Sequence, residues 1–469
     1  MKQLTTYLLV LLVVWAGQYA KGQEKVFPFV DYINNVKTNH PISAQAEITA
    51  RIGELFVLES RGAFDPELYT DLGQKEFEGS RYYRIFDGGI RIPTWYGIEF
   101  YSGIEQANGD YLSAQYTLPD NGLTYSGVSL KLAKGLIMDQ RRAMLKTAQL
   151  GQISTEQERK IILNNLLLDA SKAYFQWQLA AIIKEIQLEG LELAQVRLQA
   201  VKQNALLGDI PYIDTLEASI QLQNRQMLLA EAELAELNTK VFVSTFLWAN
   251  YVVPVELAES IAPQKDFDYP LNIFSDYLRN EIDSLIPNHP EAIMANLKVE
   301  EYDIQRKLKL ESMKPELNVK YNLLNEPFVD NFASNYTLDD YNWGLEFKMP
   351  IFLRSGRGGL QIAKLKLQDA ELDYSFKLQH LNVKSQQAVN EFQTTSNQLS
   401  IYTKTVVDLS QLLTGEQRKF DNGESSLFLV NSRESIYING RIKLAELEIK
   451  NIFALLKISH SLGDLYNNL

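Results

Sequence analysis

Apolar and polar residues alternate along this chain with two different periods, and each period occurs in two places. Tyr341, Trp343, Leu345, Phe347 and Met349 are separated by Asn342, Gly344, Glu346 and Lys348. A strict period of two predicts a strand with one apolar and one wet face. Val319, Tyr321 and Leu323 alternate in the same way with Asn318, Lys320 and Asn322. Earlier, Tyr96, Ile98 and Phe100 alternate with Gly97, Glu99 and Tyr101, and Val128, Leu130 and Leu132 with Ser129 and Lys131. The expected strands lie at about 94–106, 123–133, 316–326 and 339–352. Loops rich in Asn, Asp and Gly, at about 107–122 and 326–338, separate the partners of each pair.

The second period is helical. Between Gln140 and Ala249 the only proline is Pro211, and none follows Ser355. Ile213, Leu216, Ile220, Met227, Ala230, Leu234, Leu237 and Val241 follow a spacing of three and four, a heptad seam. Phe428, Asn431, Ser435, Ile438, Ile442, Ala445, Ile449, Ile452 and Leu456 form another, and Leu191, Ala194, Leu198, Val201 and Ala205 a third. Antiparallel helices meeting at Leu207-Gly208-Asp209 and at Asn422-Gly423-Glu424 would explain these seams. Glycine suits the left-handed position that ends a helix, and Asp or Ser beyond it can cap the next. Pro211 then falls in the first turn of the returning helix. The hairpins are expected at about 139–248, with a tip near 208, and 355–463, with a tip near 423. An arm from Arg141 to Leu207 would be roughly 100 Å long at 1.5 Å per residue. Shorter helices are expected at about 41–62 and 290–312, ended by Pro66 and Pro315.

The order helix, strand pair, hairpin therefore occurs twice, and the residues themselves repeat. His40-Pro41 recurs as His289-Pro290, and Pro66-Glu67-Leu68 as Pro315-Glu316-Leu317, at one constant offset. Farther on, Arg142, Ala148, Gly208 and Ala230-Glu231 recur at a second constant offset as Arg357, Ala363, Gly423 and Ala445-Glu446. Self-similarity of this kind marks a tandem duplication. The division is a leader at 1–22, repeat one at 23–250, an equatorial connector at 251–288 and repeat two at 289–469. Repeat one carries roughly thirty extra residues between Leu68 and Val128. They include Tyr82, Tyr83 and Phe86 and leave two options open: an additional strand or an equatorial elaboration.

Composition narrows the class. The 469 residues carry a formal net charge of -12, which disfavours nucleic acid as a partner. Lys2, the apolar run from Tyr7 to Ala16 and Ala20-Lys21-Gly22 have the layout of an export signal. There is no cysteine, hence no disulfide, thiolate metal site or cysteine nucleophile. The four histidines are His40, His289, His380 and His460, with no spaced ligand motif, so neither enzyme nor metal site is expected. Arg141-Arg142 and Arg354-x-x-Arg357 are either a membrane-proximal basic belt or simply the starts of long helices. No later segment is long and apolar enough for a membrane helix. A membrane-spanning reading then leaves only a closed β-barrel. Four strands cannot close one, because bacterial barrels begin at about eight. Three chains would supply about twelve strands, and a barrel of that size can hold a lumen.

The duplicated order resembles the TolC-like outer-membrane factors. The resemblance rests on Asn288-His289-Pro290-Glu291, Lys314-Pro315-Glu316-Leu317, Gly208-x-x-x-x-x-Asp214-x-Leu216-x-Ala218 and Phe420-x-x-Gly423-x-Ser425-x-x-x-x-Val430, and covers nearly the whole mature chain. It implies an α+β, mainly α, fold: a homotrimer with a 12-stranded β-barrel in outer-membrane lipid, continued by a periplasmic α-helical barrel. It further implies an efflux duct without cofactors, working with a periplasmic adaptor and an inner-membrane transporter. Leu207, Gly208, Asp209, Asn422, Gly423, Glu424 and Ser425 would then be adaptor-contacting tips. The family's acidic ring past the second tip is missing from Leu429-Val430-Asn431-Ser432. The tunnel-entrance constriction is accordingly expected at Asp214, Glu217, Asn431 and Ser432, with Asp214 either a gate charge or a first-turn residue favoured by the helix dipole. Two other readings remain: the exit channel of a type I protein secretion system, and an exported structural coiled coil without a pore.

Overall fold

The computed structural model describes residues 25–208, 210–266, 282–326 and 336–469, apart from the side chains of Ile282, Asp283 and Asn468. The expected leader at 1–22, the tip residue Asp209 and part of the expected connector lie outside the described residues. The chain divides into two compact units: one formed by residues up to Glu47, Arg159–Pro290 and Leu378–Leu469, the other by Ile48–Glu158 and Glu291–Lys377.

The second unit is built on an antiparallel sheet. Its strands are β1 (Glu67–Phe77), β2 (Ser80–Pro93), β3 (Ile98–Asn108), β4 (Leu123–Lys131), β5 (Glu316–Asn325) and β6 (Tyr341–Lys348), in the spatial order β6-β5-β4-β3-β2-β1. This sheet thus has six strands where the sequence pattern suggests four. The two additional ones occupy the extra residues of repeat one, which settles what that segment is. Strand β3 begins at Ile98 rather than 94, because Thr94–Gly97 is spent on a turn: Thr94 N donates to Ile98 O at 2.9 Å, and Gly97 has a φ of 79°. Strand β6 stops at Lys348 rather than continuing to 352. Pro350 has no N–H for a ladder, and Leu353 sits at a φ of 46°.

The two copies meet in the middle of the sheet. Strand β4 of repeat one pairs with β5 of repeat two, Val128 opposite Tyr321 and Leu130 opposite Val319. Helix α2 (Pro41–Arg61) leads into β1, and α5 (Pro290–Glu311) leads into β5. Helix α3 (Gln140–Leu207) leaves β4 and α6 (Arg354–Asp421) leaves β6. The start of α3 is tied down by Arg142, whose Nε donates to Asp139 Oδ1 at 3.1 Å and Nη1 to Leu136 O at 3.0 Å. Arg142 is thus a helix-start residue.

The first unit is helical. It contains α1 (Phe29–Asn39), most of α3 and α6, α4 (Tyr212–Ser244) and α7 (Leu427–Ser461). Its main core joins Phe29, Tyr32, Ile33 and Val36 of α1 to Tyr174, Phe175 and Trp177 of α3 and to Ile449, Ile452 and Leu456 of α7. The segment before it, Lys25–Phe27, pairs in parallel with Ile261–Pro263. Tyr174 fastens this arrangement. Its hydroxyl donates to Phe27 O at 2.6 Å and accepts from Gln264 N at 3.1 Å. Burial raises the phenol pKa of both Tyr32 and Tyr174.

Helix α7 lies at the centre of the bundle. Lys457 pairs with Glu391 of α6 at 2.8 Å, Arg225 of α4 donates to Ser435 at 3.2 Å, and Asn164 of α3 donates to His460 O at 3.1 Å. The seams on α3 and α7 pack over most of their length: Ala194, Leu198 and Val201 are buried, as are Ile438, Ala445 and Ile449, whereas Phe428 near the tip is exposed. The seam on α4 does not. Ile213, Leu216, Ile220, Met227, Leu234, Leu237 and Val241 are all exposed, and α4 buries Thr215, Ala218, Arg225, Ala232, Lys240 and Val243 instead. The heptad pattern located a seam without identifying what covers it.

Trp177 is fully buried and its Nε1 has no hydrogen-bond partner. Trp177→Ala should therefore cost about 3–5 kcal/mol, whereas Trp177→Phe, which loses no hydrogen bond, should cost less than half of that in thermal or denaturant unfolding. His460 has its pKa pushed down to about 4 by burial and by Lys384, Lys172 and His289, while its Nε2 lies 2.7 Å from Asn165 Oδ1. The unfolded chain takes up this proton near the ordinary value of about 6.5, the folded chain only near 4. Stability should thus fall as pH drops through that window, and His460→Gln should flatten this part of the melting-temperature profile.

Candidate functional site

Both hairpin tips are built around a glycine in the left-handed region, Gly208 at a φ of 85° and Gly423 at 78°. At the second tip Gly423 N donates to Phe420 O at 2.9 Å and Glu424 N to Lys419 O at 2.8 Å. These are the two reversed bonds of a Schellman end. At the first tip Gly208 N donates to Ala205 O at 3.2 Å. Nothing lies within 4 Å of where a Cβ would sit on either glycine, so it is the backbone conformation that requires them. Ser426 caps α7, its hydroxyl accepting from Leu429 N at 3.4 Å. Pro211 is the N-cap of α4, one residue earlier than its expected place in the first turn. Leu207, Asn422 and Glu424 are exposed at these turns. Ser425 turns inward and donates to Glu416 Oε1 at 2.5 Å.

Behind the tips, two of the four expected constriction residues meet. Asn431 Nδ2 donates to Glu217 Oε1 at 3.1 Å. Asn431 is buried, and its Oδ1 accepts from Arg197 Nη1 at 2.9 Å. The second nitrogen of Arg197 bonds Glu434, whose other oxygen lies 3.8 Å from Arg225 Nη2. Glu434 is only 3% exposed, so a carboxylate is sealed between two guanidiniums. Burial lowers the pKa of Arg225, opposed by the Glu434 charge and reinforced by that of Arg197. Asp214 is half-buried in the first turn of α4, where its backbone N donates to Pro211 O at 3.1 Å. Ser432 is half-buried and outside this network.

The sequence singles out Glu217 and Asn431 but not Arg197, Arg225 and Glu434, to which the structure joins them. A signal was present. Asn431 and Ser435 interrupt an otherwise apolar seam, and a buried polar group needs a partner. Such partners come from other helices and cannot be named from one sequence.

The sheet carries a second polar surface. Paired positions share a face, and one row runs Trp343, Tyr321, Val128, Phe100, Ile92 across five strands. The opposite face gathers charge and tyrosine. Glu99 accepts from Tyr101 Oη at 2.6 Å and from Arg141 Nη1 at 2.7 Å, with Lys131 Nζ at 3.6 Å. Tyr125 Oη donates to Asp87 Oδ1 at 2.6 Å and contacts Tyr69 Oη. Arg91 stacks on Tyr69 and Tyr101, and Lys320 on Tyr101 and Tyr125. Gly89 and Gly103 lie between the two tyrosines. A Cβ on Gly103 would come within 2.6 Å of Tyr125 Oη, so its bareness lets the phenol reach across the strand.

No family model matches the chain, and no curated protein matches it. Solved structures do. The channel protein CusC, solved in a study of folding and transmembrane channel formation, matches with a TM-score of 0.64 at 14% identity, covering 92% of this chain and 91% of that one. The Campylobacter jejuni CmeC outer membrane channel matches at 0.62 and 12% identity, over 92% and 85%. The open state of the Neisseria gonorrhoeae MtrE outer membrane channel matches at 0.63 and 14% identity, over 92% and 88%. With a curled antiparallel sheet fed twice by long helical hairpins, this chain has the fold of the TolC-like outer-membrane channels.

Proposed function

We propose that this protein is the outer-membrane exit duct of a tripartite efflux system and not an enzyme. The observation that carries the reading is the two-faced sheet. One side exposes Leu68, Phe100, Trp343, Leu345 and Phe347, while the other collects Glu99, Asp87, Arg91 and Lys320. An apolar exterior and a polar interior are what a membrane barrel requires. That the similar solved structures are channels supports the same choice.

In this reading the chain works as a homotrimer embedded in outer-membrane lipid, with its helices in the periplasm. The exposed seam of α4 is where a neighbouring protomer packs, since a heptad row of this length needs a cover. The residues around Gly208 and Gly423 are the tips that meet a periplasmic adaptor, behind which an inner-membrane transporter delivers small molecules. Asp214 supplies the charge at the entrance. Glu217 and Asn431 act through their bonds to the buried Arg197–Glu434 pair, and so hold the shape of the entrance rather than its charge.

Fractionation tests the reading first: a heat-modifiable trimer extracted from outer membrane is expected, and a soluble periplasmic pool would remove it. In planar bilayers Asp214→Ala should lower cation selectivity; unchanged current and selectivity would take the entrance role away from Asp214. Glu434→Ala strands two arginines in a buried place and should cost about 3–5 kcal/mol. Its unfolding should begin at the tips, visible as faster amide exchange near Asn431 than near Trp177.

A further inference from the structure

The additional strands β1 and β2 form a hairpin closed by Glu78 and Gly79, whose φ values of 51° and 77° are those of a tight primed turn. The strands have 11 and 14 residues, enough to cross the hydrocarbon layer at a tilt. Their alternation continues that of the other four. Leu68, Thr70 and Leu72 of β1 pair with Ile90, Gly88 and Phe86 of β2, and Ile90 and Ile92 pair with Ser102 and Phe100 of β3. All of these share the apolar face of Val128, Tyr321 and Trp343. Leu68 is 84% exposed and Leu72 60%, so nothing among the described residues covers this surface. Glu67, Asp71, Asp87 and Arg91 take the polar face. At the turn end, Tyr82 packs 4.7 Å from Tyr111 and 6.0 Å from Phe77, as in the aromatic girdle of a membrane barrel.

The hairpin is also joined to the rest of the wall. Strand β2 pairs with β3 without interruption from Arg84↔Asn108 to Pro93↔Glu99. On the polar face Asp87 accepts from Tyr125 of β4 at 2.6 Å, and Arg91 stacks on Tyr101 of β3. A flap lying outside the barrel would have an apolar surface against the wall and a separate edge. This hairpin has neither.

We propose that the hairpin is part of the membrane wall, so that each protomer supplies six strands and the outer edge of β1 pairs with the outer edge of β6 of a second copy of this chain. The inference rests on the membrane-duct reading above. Three copies then close an eighteen-stranded barrel. Directions agree: neighbours alternate across all six strands, so β1 and β6 run oppositely and their junction around a ring is antiparallel, like every other. Both strands end the sheet, and β6 is exposed at every position. Glu67 and Lys348, at the helix-side ends of β1 and β6, share the polar face with opposite charge. Barrel diameter grows roughly linearly with strand number, so the bore is about one and a half times that of a twelve-stranded wall.

Cysteine cross-linking tests this, and the natural chain contributes no thiol of its own. Thr70→Cys of β1 is combined in turn with Trp343→Cys, Leu345→Cys and Phe347→Cys of β6, covering three registers on the outer face. Ser102→Cys of β3 is combined with the same three. The trimer is first isolated from outer membrane, then treated with a short bifunctional thiol reagent. Cross-linked dimers and trimers from a Thr70 pair, with none from the Ser102 pairs or single variants, are the expected result. Cross-links from Ser102 pairs would place the seam at β3 and overturn the proposal, as would a trimer that cross-links from neither set. A chain recovered outside the outer membrane would instead defeat the duct reading itself.

Discussion

Hydrocarbon offers no hydrogen bonds, so a sheet that enters it must satisfy each backbone N–H and C=O from within protein. Every structural demand on the proposed duct descends from this. Six antiparallel strands leave one row of unpaired groups on β1 and another on β6. Neither row can face lipid, and neither can reach the other within one chain. In the proposed wall a second copy supplies the partner, which fixes rotational symmetry for the assembly. In that assembly the helices take part in the same symmetry, since α3 follows β4 and α6 follows β6 along the chain. The exposed row from Ile213 to Val241 is the helical counterpart of the open sheet edge. Among the described residues nothing covers either surface.

Within one chain the helical unit is held by different physics. Its aromatic core fixes α1 against α3 and α7, and the hydroxyls of Tyr32 and Tyr174 each find a backbone partner, Ala170 O at 3.2 Å and Phe27 O at 2.6 Å. Helix α7 is shared by three neighbours, which explains why its apolar positions are buried almost throughout. Helix α4 buries mainly small or polar residues on its inner side, with Val243 reaching the aromatic core.

Much of this was legible in the sequence, and the failures have physical reasons. Strands β3 to β6 were visible because each alternates cleanly. The β1–β2 hairpin was not, because Tyr82-Tyr83 and Ile85-Phe86 place large side chains on both faces and a register shift at Lys75/Glu76 breaks the phase of β1. Helix α1 escaped notice because its few turns precede the first repeated motif. The tips were legible from Gly208 and Gly423, whose backbone conformation few other residues adopt. Glu217 and Asn431 were found by position, but what they bond to was not. Arg197, Arg225 and Glu434 lie on three helices, and one-dimensional spacing carries no record of which helices touch.

The contrast between the two ends of the helical unit bears on how an entrance could open. Around Trp177 the core is extensive and aromatic, and parting it would expose large apolar area. Behind the tips the apolar cluster is small, consisting of Leu198, Val201, Ala218 and Leu427 with Ile210, Leu222 and Phe420 at its edge. The rest of the contact is polar, running from Glu217 through Asn431 and Arg197 to Glu434 and Arg225. Polar groups released from one another can be taken over by water, whereas apolar groups cannot. Separation at the tips therefore costs far less than separation at the aromatic core. Local opening belongs at the least stable end of a structure, and in the proposed duct that end is the one that would admit the cargo.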